Sequence, residues 1–219
     1  MATIATEMRK TGIDVVGDMV AWGAHFCLFY ETREDLLDTL IAYCKSGLGR
    51  EEYCLWIVAE PLTIEEARGA LKDEVPDLDQ HLADSRLELA SARDWFLQGG
   101  TFDGKRLTAA WYEKLARVSA RGYPGMRVTG DTTWLAKKDW GHFCDYADGL
   151  NEVIGNQSLA VLCTYPLATC GAPESWMWCV RTSLSSQGDT GVGTSSRPPR
   201  SSEPRPKSRG SMRNSNNVS

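Results

Sequence analysis

The sequence has no long hydrophobic run. No stretch reaches the roughly 18 apolar residues that a membrane-spanning helix needs, and residues 1–10 are polar, without the apolar segment of a secretory signal peptide. The sequence therefore argues against both a membrane span and an export signal. We expect a cytoplasmic protein that makes no contact with a membrane.

Cysteine pairs at metal-binding or redox spacing are also missing. The chain has seven cysteines but no Cys-x-x-Cys pair. Five of them lie in apolar or helical segments, namely Cys27, Cys44, Cys54, Cys144 and Cys163. A soft-metal site built from His25 with three of these thiols (Cys27, Cys54 and Cys163) is an alternative, but packing is the commoner role of a free cysteine. We predict reduced, mostly buried thiols, no metal site and no cofactor.

Positive charge is scarce in most of the chain. Residues 1–180 hold 17 Lys and Arg against 27 Asp and Glu, and an acidic surface repels the phosphates of nucleic acid. We therefore expect no direct binding of nucleic acid by this part. Residues 183–219 differ, with eleven serines, four prolines and almost no apolar side chains. This composition cannot build a core, and we predict a disordered, basic, Ser/Pro-rich tail over residues 173–219.

Five short apolar runs alternate with segments of helical periodicity. The runs predict strands at 24–30, 53–59, 86–90, 126–130 and 158–165, and helices are predicted at 33–47, 64–71, 78–82, 104–121 and 139–153. Residues 1–22 precede this series, and we predict a mostly irregular lead-in. Strands separated by helices form parallel sheets with right-handed crossovers. The sequence thus predicts an α/β fold with a doubly wound, mainly parallel sheet.

The phosphate-binding loop of nucleotide-binding α/β proteins is absent. Where the first predicted strand ends, the chain reads Tyr30-Glu31-Thr32-Arg33 and offers neither a glycine nest nor a Gly-Lys-Ser/Thr. Ligands of open α/β sheets nevertheless bind at the carboxyl ends of the strands. Aromatic residues follow several of these ends, and an aromatic wall suits a small apolar molecule. The candidate ligand-binding residues are His25, Cys27, Tyr30, Glu31, Glu60, Trp95, Gly130, Thr133, Trp134 and Tyr165.

Two sets of these candidates also have ordinary structural interpretations. His25 begins a buried strand, where it is either a core histidine with a satisfied ring nitrogen or a hydrogen-bond donor to a ligand. Glu31 and Glu60 both end strands, and they are either a carboxylate pair for acid–base chemistry or acids that favour helix starts. The sequence alone leaves both alternatives open, and we predict no catalytic residue.

Four segments, in a fixed order along the chain, carry a family resemblance. They are GAHFCLFYET at 23–32, CLWIVAEPLT at 54–63, RVTG at 127–130 with Trp134 beyond it, and LCTY at 162–165. Together they resemble the MEDS domain, the DcmR-type sensory domain of methanogens and methylotrophs. The resemblance spans about residues 11–172, and we assign the domain to 23–172.

The resemblance implies both a fold and a function. The family's core is similar to RecA/KaiC-type sheets without their phosphate loop, and Glu60 falls where KaiC-like relatives keep a catalytic glutamate. The implied function is that of a non-enzymatic sensor, which binds a small hydrocarbon-like molecule and signals to a histidine kinase or a transcriptional output partner. The alternatives are a degenerate KaiC-like nucleotide-binding protein and a ligand-free protein-interaction module.

The resemblance stops after Cys170. Family members continue with a helix that reads like VLDVVRTHQFAL, and codons permitted for residues 174–184 spell VLDVVRTHQF when read two bases later. Trp and Met have one codon each, which constrains the agreement around Trp176–Trp178. The sequence therefore predicts a C-terminally truncated or frame-shifted domain, with the frame change near Glu174.

Overall fold

The structure is a computed structural model that describes residues 7–13 and 18–168. The strands are β1 (Met8–Lys10), β2 (Met19–Ala21), β3 (His25–Tyr30), β4 (Tyr53–Val58), β5 (Leu87–Ser91), β6 (Met126–Asp131) and β7 (Leu159–Pro166). The helices are α1 (Arg33–Leu48), α2 (Ile64–Glu74), α3 (Leu78–Ala83), α4 (Ala92–Phe96), α5 (Gly104–Ala120) and α6 (Trp140–Ile154). The predicted tail and the proposed frame change lie outside the described residues.

Two helices begin at threonines that the sequence marks as caps. The Thr32 hydroxyl accepts from the backbone N–H of Asp35, whose carboxylate accepts from the Thr32 N–H in return. Thr63 and Glu66 form the same reciprocal pair at the start of α2. Each box satisfies two backbone donors that a helix start leaves open, and so it fixes the point where the chain turns from strand edge to helix.

Five parallel strands form the main sheet in the order β3-β7-β6-β4-β5. The predicted parallel, doubly wound α/β fold is confirmed. From β4 the chain moves outward to β5, whereas from β6 it moves in the opposite direction to β7. The winding direction therefore changes between β4 and β6, which are neighbours in the sheet. The crevice outside the carboxyl ends of two such strands is the usual ligand position in open α/β sheets.

The sheet is buried on both faces. Cys27 and Phe29 of β3 lie on one face and Phe26 and Leu28 on the other, as the alternation of side chains along a strand requires. One face packs against α1 and α2, mainly through aliphatic side chains, and we call it the α1 face. The second packs against α5 and α6 and is rich in aromatic residues, and we call it the α6 face. All six residues of β4 are buried, as expected of a central strand covered by helices on both sides.

The lead-in is more ordered than the sequence predicts. Within residues 1–22, expected to be mostly irregular, β1 and β2 pair as an antiparallel hairpin. The carbonyls of Lys10 and Thr11 accept hydrogen bonds from the buried guanidinium of Arg127, and Ser46 also donates to Lys10. Strands of three residues are too short to show a periodicity, so contacts distant in sequence order this hairpin.

Candidate ligand-binding site

Two cavities lie next to each other at the carboxyl edge of the sheet. The open cleft, of about 500 Å³, follows the ends of β4, β5 and β6 and is lined by Val58, Ala59, Glu60, Leu62, Thr63, Ile64, Glu65, Ser91, Ala92, Arg93, Leu97, Thr133 and Trp134. The apolar cavity, of about 40 Å³, is lined by Ile57, Phe96, Trp111, Val128, Gly130, Asp131, Thr132, Trp134, Phe143, Tyr146, Ala147, Leu150, Val161 and Cys163. Trp134 borders both.

Trp134 is held in an aromatic stack. Its ring lies 4.3 Å from that of Phe96 with the planes nearly parallel, and it stacks at 5.8 Å on Phe102. Phe143 of α6 meets it edge-on at 5.8 Å. The indole N–H is buried and has no hydrogen-bond partner among the described residues. The stack positions Trp134 as a partition between the open cleft and the apolar cavity.

The absence of a side chain at Gly130 helps to form the apolar cavity. It lies on β6 beside Ile57 of β4, and a Cβ added at Gly130 would be 3.5 Å from the Ile57 Cβ, an ordinary van der Waals contact. Backbone strain therefore does not require glycine at this position. Its effect is to leave space that a side chain would occupy.

A buried carboxylate follows Gly130 at the end of β6. Asp131 accepts from the backbone N–H of Thr133 at 2.8 Å and from the Thr164 hydroxyl at 2.9 Å. Burial raises the pKa of Asp131, and these hydrogen bonds oppose the rise. Thr133 also donates through its hydroxyl to the carbonyl of Glu60, which ties the loop after β6 to the loop after β4.

A histidine, a cysteine and an asparagine meet beside the apolar cavity. His25 Nδ1 is 2.8 Å from Asn151 Oδ1, and His25 Nε2 is 3.2 Å from Cys163 Sγ. Burial lowers the pKa of His25, against a smaller effect of the Asn151 hydrogen bond, so the ring is neutral. The amide oxygen can only accept, so Nδ1–H donates to Asn151 and Nε2 accepts from the Cys163 thiol.

Burial also controls the protonation of Cys163. It raises the pKa of the thiol to about 12, and the nearby charge of Asp131 adds to the rise. At neutral pH the pair is thus a thiol and an uncharged imidazole. Cys163 lines the apolar cavity, so this pair forms part of its wall.

The structure brings some of the predicted site residues together. Gly130 and Trp134 line the apolar cavity, while Glu60, Thr133 and again Trp134 line the open cleft. His25 contacts Cys163, which lines the cavity. These residues come from different strands and loops but meet at the crevice between the ends of β4, β6 and β7.

Other predicted site residues lie apart from both cavities. Tyr30 is on the α1 face and Tyr165 on the α6 face, where it packs on Phe29 at 5.5 Å, so the two do not form one aromatic wall. Trp95 packs on Trp111 at 4.9 Å, and Glu31 is exposed.

The thiols correct one prediction. Cys27 is disulfide-bonded, so the prediction of a reduced thiol is wrong for this residue, whereas Cys44, Cys54, Cys144 and Cys163 are free. Cys54 lies on the α1 face, away from His25. In the part of the chain that the structure describes, no group of three His, Cys, Asp or Glu side chains could hold a metal ion. None of the described helices is long and apolar enough to cross a membrane.

Several residues at the site were not predicted. Phe143, Ala147 and Leu150 of α6 line the apolar cavity, and their spacing of three and four residues indicates an inward helical face that the sequence could have revealed. Asn151 has no comparable signal. Its contact with His25 depends on where α6 packs across β3 and β7, which sequence periodicity does not specify.

The comparison with known protein families agrees with this geometry. The model of the MEDS family, described as the methanogen/methylotroph DcmR sensory domain, matches residues 24–175, which is more than half of the chain. No curated protein matches the chain. The chain therefore belongs to the MEDS family of sensory domains.

Proposed function

We propose that this sensory domain binds a small apolar molecule in the apolar cavity and signals its occupancy to an output partner. The observation that carries the proposal is a space of about 40 Å³ beside Trp134, lined mainly by aromatic and aliphatic side chains. Membership of a sensory-domain family supports the sensory role.

The size of the cavity limits the ligand. A space that holds one water measures about 10–15 Å³ on the same scale, so the apolar cavity suits a molecule of a few heavy atoms. At a ceiling of about 1.5 kcal/mol per heavy atom, a ligand of about four heavy atoms gains at most about 6 kcal/mol. This corresponds to a dissociation constant of tens of micromolar at the tightest. Binding assays therefore need ligand concentrations up to the millimolar range.

Trp134 links occupancy of the apolar cavity to the protein surface. A molecule behind the indole pushes on the stack with Phe96 and Phe102, while the same indole forms part of the open cleft. The neighbouring Thr133 is hydrogen-bonded to the Glu60 loop. Occupancy thus alters the surface of the open cleft, where we place the docking of a histidine kinase or transcriptional partner. No catalytic step is needed for this function.

The open cleft supports a second candidate, the binding of a nucleotide. Its volume of about 500 Å³ lies within the range of ordinary ligand pockets. Glu60 and Glu65 give it two negative charges against the single positive charge of Arg93, which disfavours a triphosphate. The two candidates predict binding in different cavities, so one experiment separates them.

The test uses xenon, which is small and apolar, and ATP. We expect xenon to shift the methyl resonances of Val128, Ala147, Leu150 and Val161 and to leave those of Leu36 and Leu40 on the α1 face unchanged. Gly130→Ala places a methyl group in the apolar cavity and should weaken the xenon-induced shifts about fivefold or more. The matched control is Gly69→Ala on α2, where an added Cβ meets nothing within 4 Å.

The outcomes are distinct. Xenon shifts that are equal in Gly130→Ala and Gly69→Ala would place binding elsewhere and overturn the proposal. Shifts with ATP at Glu60 and Arg93, without xenon shifts, would favour the nucleotide-binding alternative. Absence of any shift would favour a protein-interaction module without a ligand.

A further inference from the structure

The thiol of Cys163 differs from the other described free thiols in its surroundings. Cys54 donates to the backbone carbonyl of Cys44 at 3.6 Å, which gives the buried thiol a hydrogen-bond acceptor but no base. Cys163 instead faces the Nε2 of His25 at 3.2 Å and lines a cavity. A thiol next to a base and an empty space has the geometry of a nucleophile.

The third residue of this cluster orients the base. Asn151 Oδ1 accepts from His25 Nδ1 at 2.8 Å, which leaves Nε2 free of hydrogen and directed at Cys163 Sγ. The order of nucleophile, base and orienting amide is that of Cys-His-Asn enzymes, which recurs on unrelated folds and is recognised by geometry. Here β7, β3 and α6 each contribute one member.

From this arrangement we propose that Cys163 captures a small, uncharged carbon electrophile of the α,β-unsaturated carbonyl class, with His25 as the base and Asn151 as a positioning residue. This inference rests on the proposed function, since it requires that a small molecule enters the apolar cavity. It names the class of ligand and adds a covalent step to binding.

The step is an addition. The thiol proton moves to His25 Nε2, the sulfur electron pair forms a C–S bond at the β-carbon, and the C=C π pair moves toward the carbonyl oxygen. His25 then returns the proton to the α-carbon, so nothing is released and no co-reactant is needed. A displacement would instead leave an anion in an apolar space, which is costly. The apolar cavity therefore favours addition, and addition is reversible, as a sensor requires.

Nearby residues are consistent with this chemistry. Cys27, the neighbour of Cys163 in the β3–β7 register, is disulfide-bonded and offers no competing thiol. Burial keeps Cys163 protonated at neutral pH, so its reaction depends on His25 rather than on free thiolate.

The experiment measures labelling by acrolein, the smallest enal of this class, without reductant. Peptide mass spectrometry compares Cys163 with Cys144, a free and partly exposed thiol on α6 that serves as the internal reference. We expect Cys163 to react at least tenfold faster than Cys144. His25→Gln should slow Cys163 about 100-fold and leave Cys144 unchanged, because general-base catalysis contributes about 10²–10⁴-fold.

Asn151 requires a test that separates positioning from folding. Asn151→Leu removes the acceptor at similar volume and should slow Cys163, whereas Asn151→Asp keeps an acceptor and should restore most of the rate. Equal rates in the two variants would remove Asn151 from the proposal. Circular dichroism shows whether each variant folds. The ratio of the Cys163 and Cys144 labelling rates is measured on the wild-type protein, so it does not depend on the folding of any variant.

The xenon and acrolein experiments together show which of the two proposals fails. If xenon enters the apolar cavity but acrolein labels Cys163 no faster than Cys144, covalent capture is overturned and the proposed function stands. If xenon does not enter and Cys163 is not labelled, the proposed function itself fails.

Discussion

The two ends of β6 each bury a charged side chain, and they differ in how that charge is compensated. Arg127, near the amino end, and Asp131, at the carboxyl end, are 1% and 4% exposed. They are four residues apart on a strand, so they lie on the same face of the sheet. The same strand therefore allows a direct comparison of the two edges.

At the amino end the charge is fully paired. The guanidinium of Arg127 donates to the carboxylate of Glu52, and its other nitrogens donate to the carbonyls of Lys10, Thr11 and Tyr43. The pair thereby joins β6 to the hairpin and to α1. Burying two charges is costly, and the hydrogen bonds of the guanidinium offset part of that cost.

At the carboxyl end the partners are neutral. Asp131 receives hydrogen bonds from Thr133 and Thr164, and in the described part of the chain no Lys or Arg forms an ion pair with it. The raised pKa of Asp131 reflects this incomplete compensation. The amino edge is therefore arranged for stability, whereas the carboxyl edge holds a buried acid without a cation beside the apolar cavity, as functional sites often do.

Breaking the amino end should give the largest effect. Arg127→Met removes the nearer of the two cations beside the buried Glu52, leaving Arg9 at 3.8 Å, and removes the hydrogen bonds to the hairpin. We expect a loss of about 3–5 kcal/mol in the free energy of unfolding, measured by urea denaturation.

The matched control is an exposed pair. Lys45 and Glu74 lie 3.0 Å apart with side chains about half exposed, so Lys45→Met should cost less than about 1 kcal/mol. The double variant Glu52→Gln/Arg127→Met should be less destabilised than the sum of its single variants. Equal losses for Arg127→Met and Lys45→Met would contradict the contrast between the two ends.

The fold was predictable because local signals and tertiary structure agree. Runs such as Tyr53–Val58 are apolar throughout and bounded by turn residues, and the caps at Thr32 and Thr63 fix the helix starts. The hairpin was missed because its order comes from Arg127, more than a hundred residues away. Strand order was not predicted either, since a βαβ series is compatible with many orders.

For the site, the sequence predicted only that it lies at the carboxyl edge of the sheet. The sequence placed candidate residues after each strand, and Gly130 and Trp134 do line the apolar cavity. It did not assign Tyr30 and Tyr165 to opposite faces of the sheet, because the face at a strand end depends on the register of that strand. It brought Cys163 and His25 together only in the less favoured soft-metal alternative, because their contact requires β3 and β7 to be neighbours.

Removing the charge of Asp131 should change the free energy of unfolding less than Arg127→Met does, and in the stabilising direction. Asp131→Asn keeps an acceptor for the Thr133 N–H, and the Thr164 hydroxyl can donate instead to the carbonyl of Gly130, 3.5 Å away. The variant removes a buried charge that lacks a cation. We expect it to be about 1 kcal/mol more stable than the wild type at pH 7, measured by urea denaturation.

The pH dependence gives a second measurement. Because the folded-state pKa of Asp131 is raised, the stability that its protonated form contributes is present below the unfolded-state pKa and is lost as pH rises through the folded-state value. Asp131→Asn should lack this loss between acidic and neutral pH, and Asp145→Asn on the exposed face of α6 should retain it. A variant that is less stable than the wild type at pH 7, with the loss unchanged, would refute this account of the carboxyl end.

The smallest expected effect concerns Glu60 and tests whether the carboxyl edge performs nucleotide chemistry. Glu60 is exposed at the end of β4, and Glu65 adds a second negative charge to the same cleft. At the end of β3, the amides of Thr32 and Asp35 are already bonded to each other's side chains, so this turn offers no free anion nest. We therefore expect no release of phosphate from ATP or GTP above a heat-denatured control, and no change in Glu60→Gln. Turnover that disappears in Glu60→Gln would show that Glu60 serves catalysis, and it would replace ligand sensing with hydrolysis as the function of the carboxyl end.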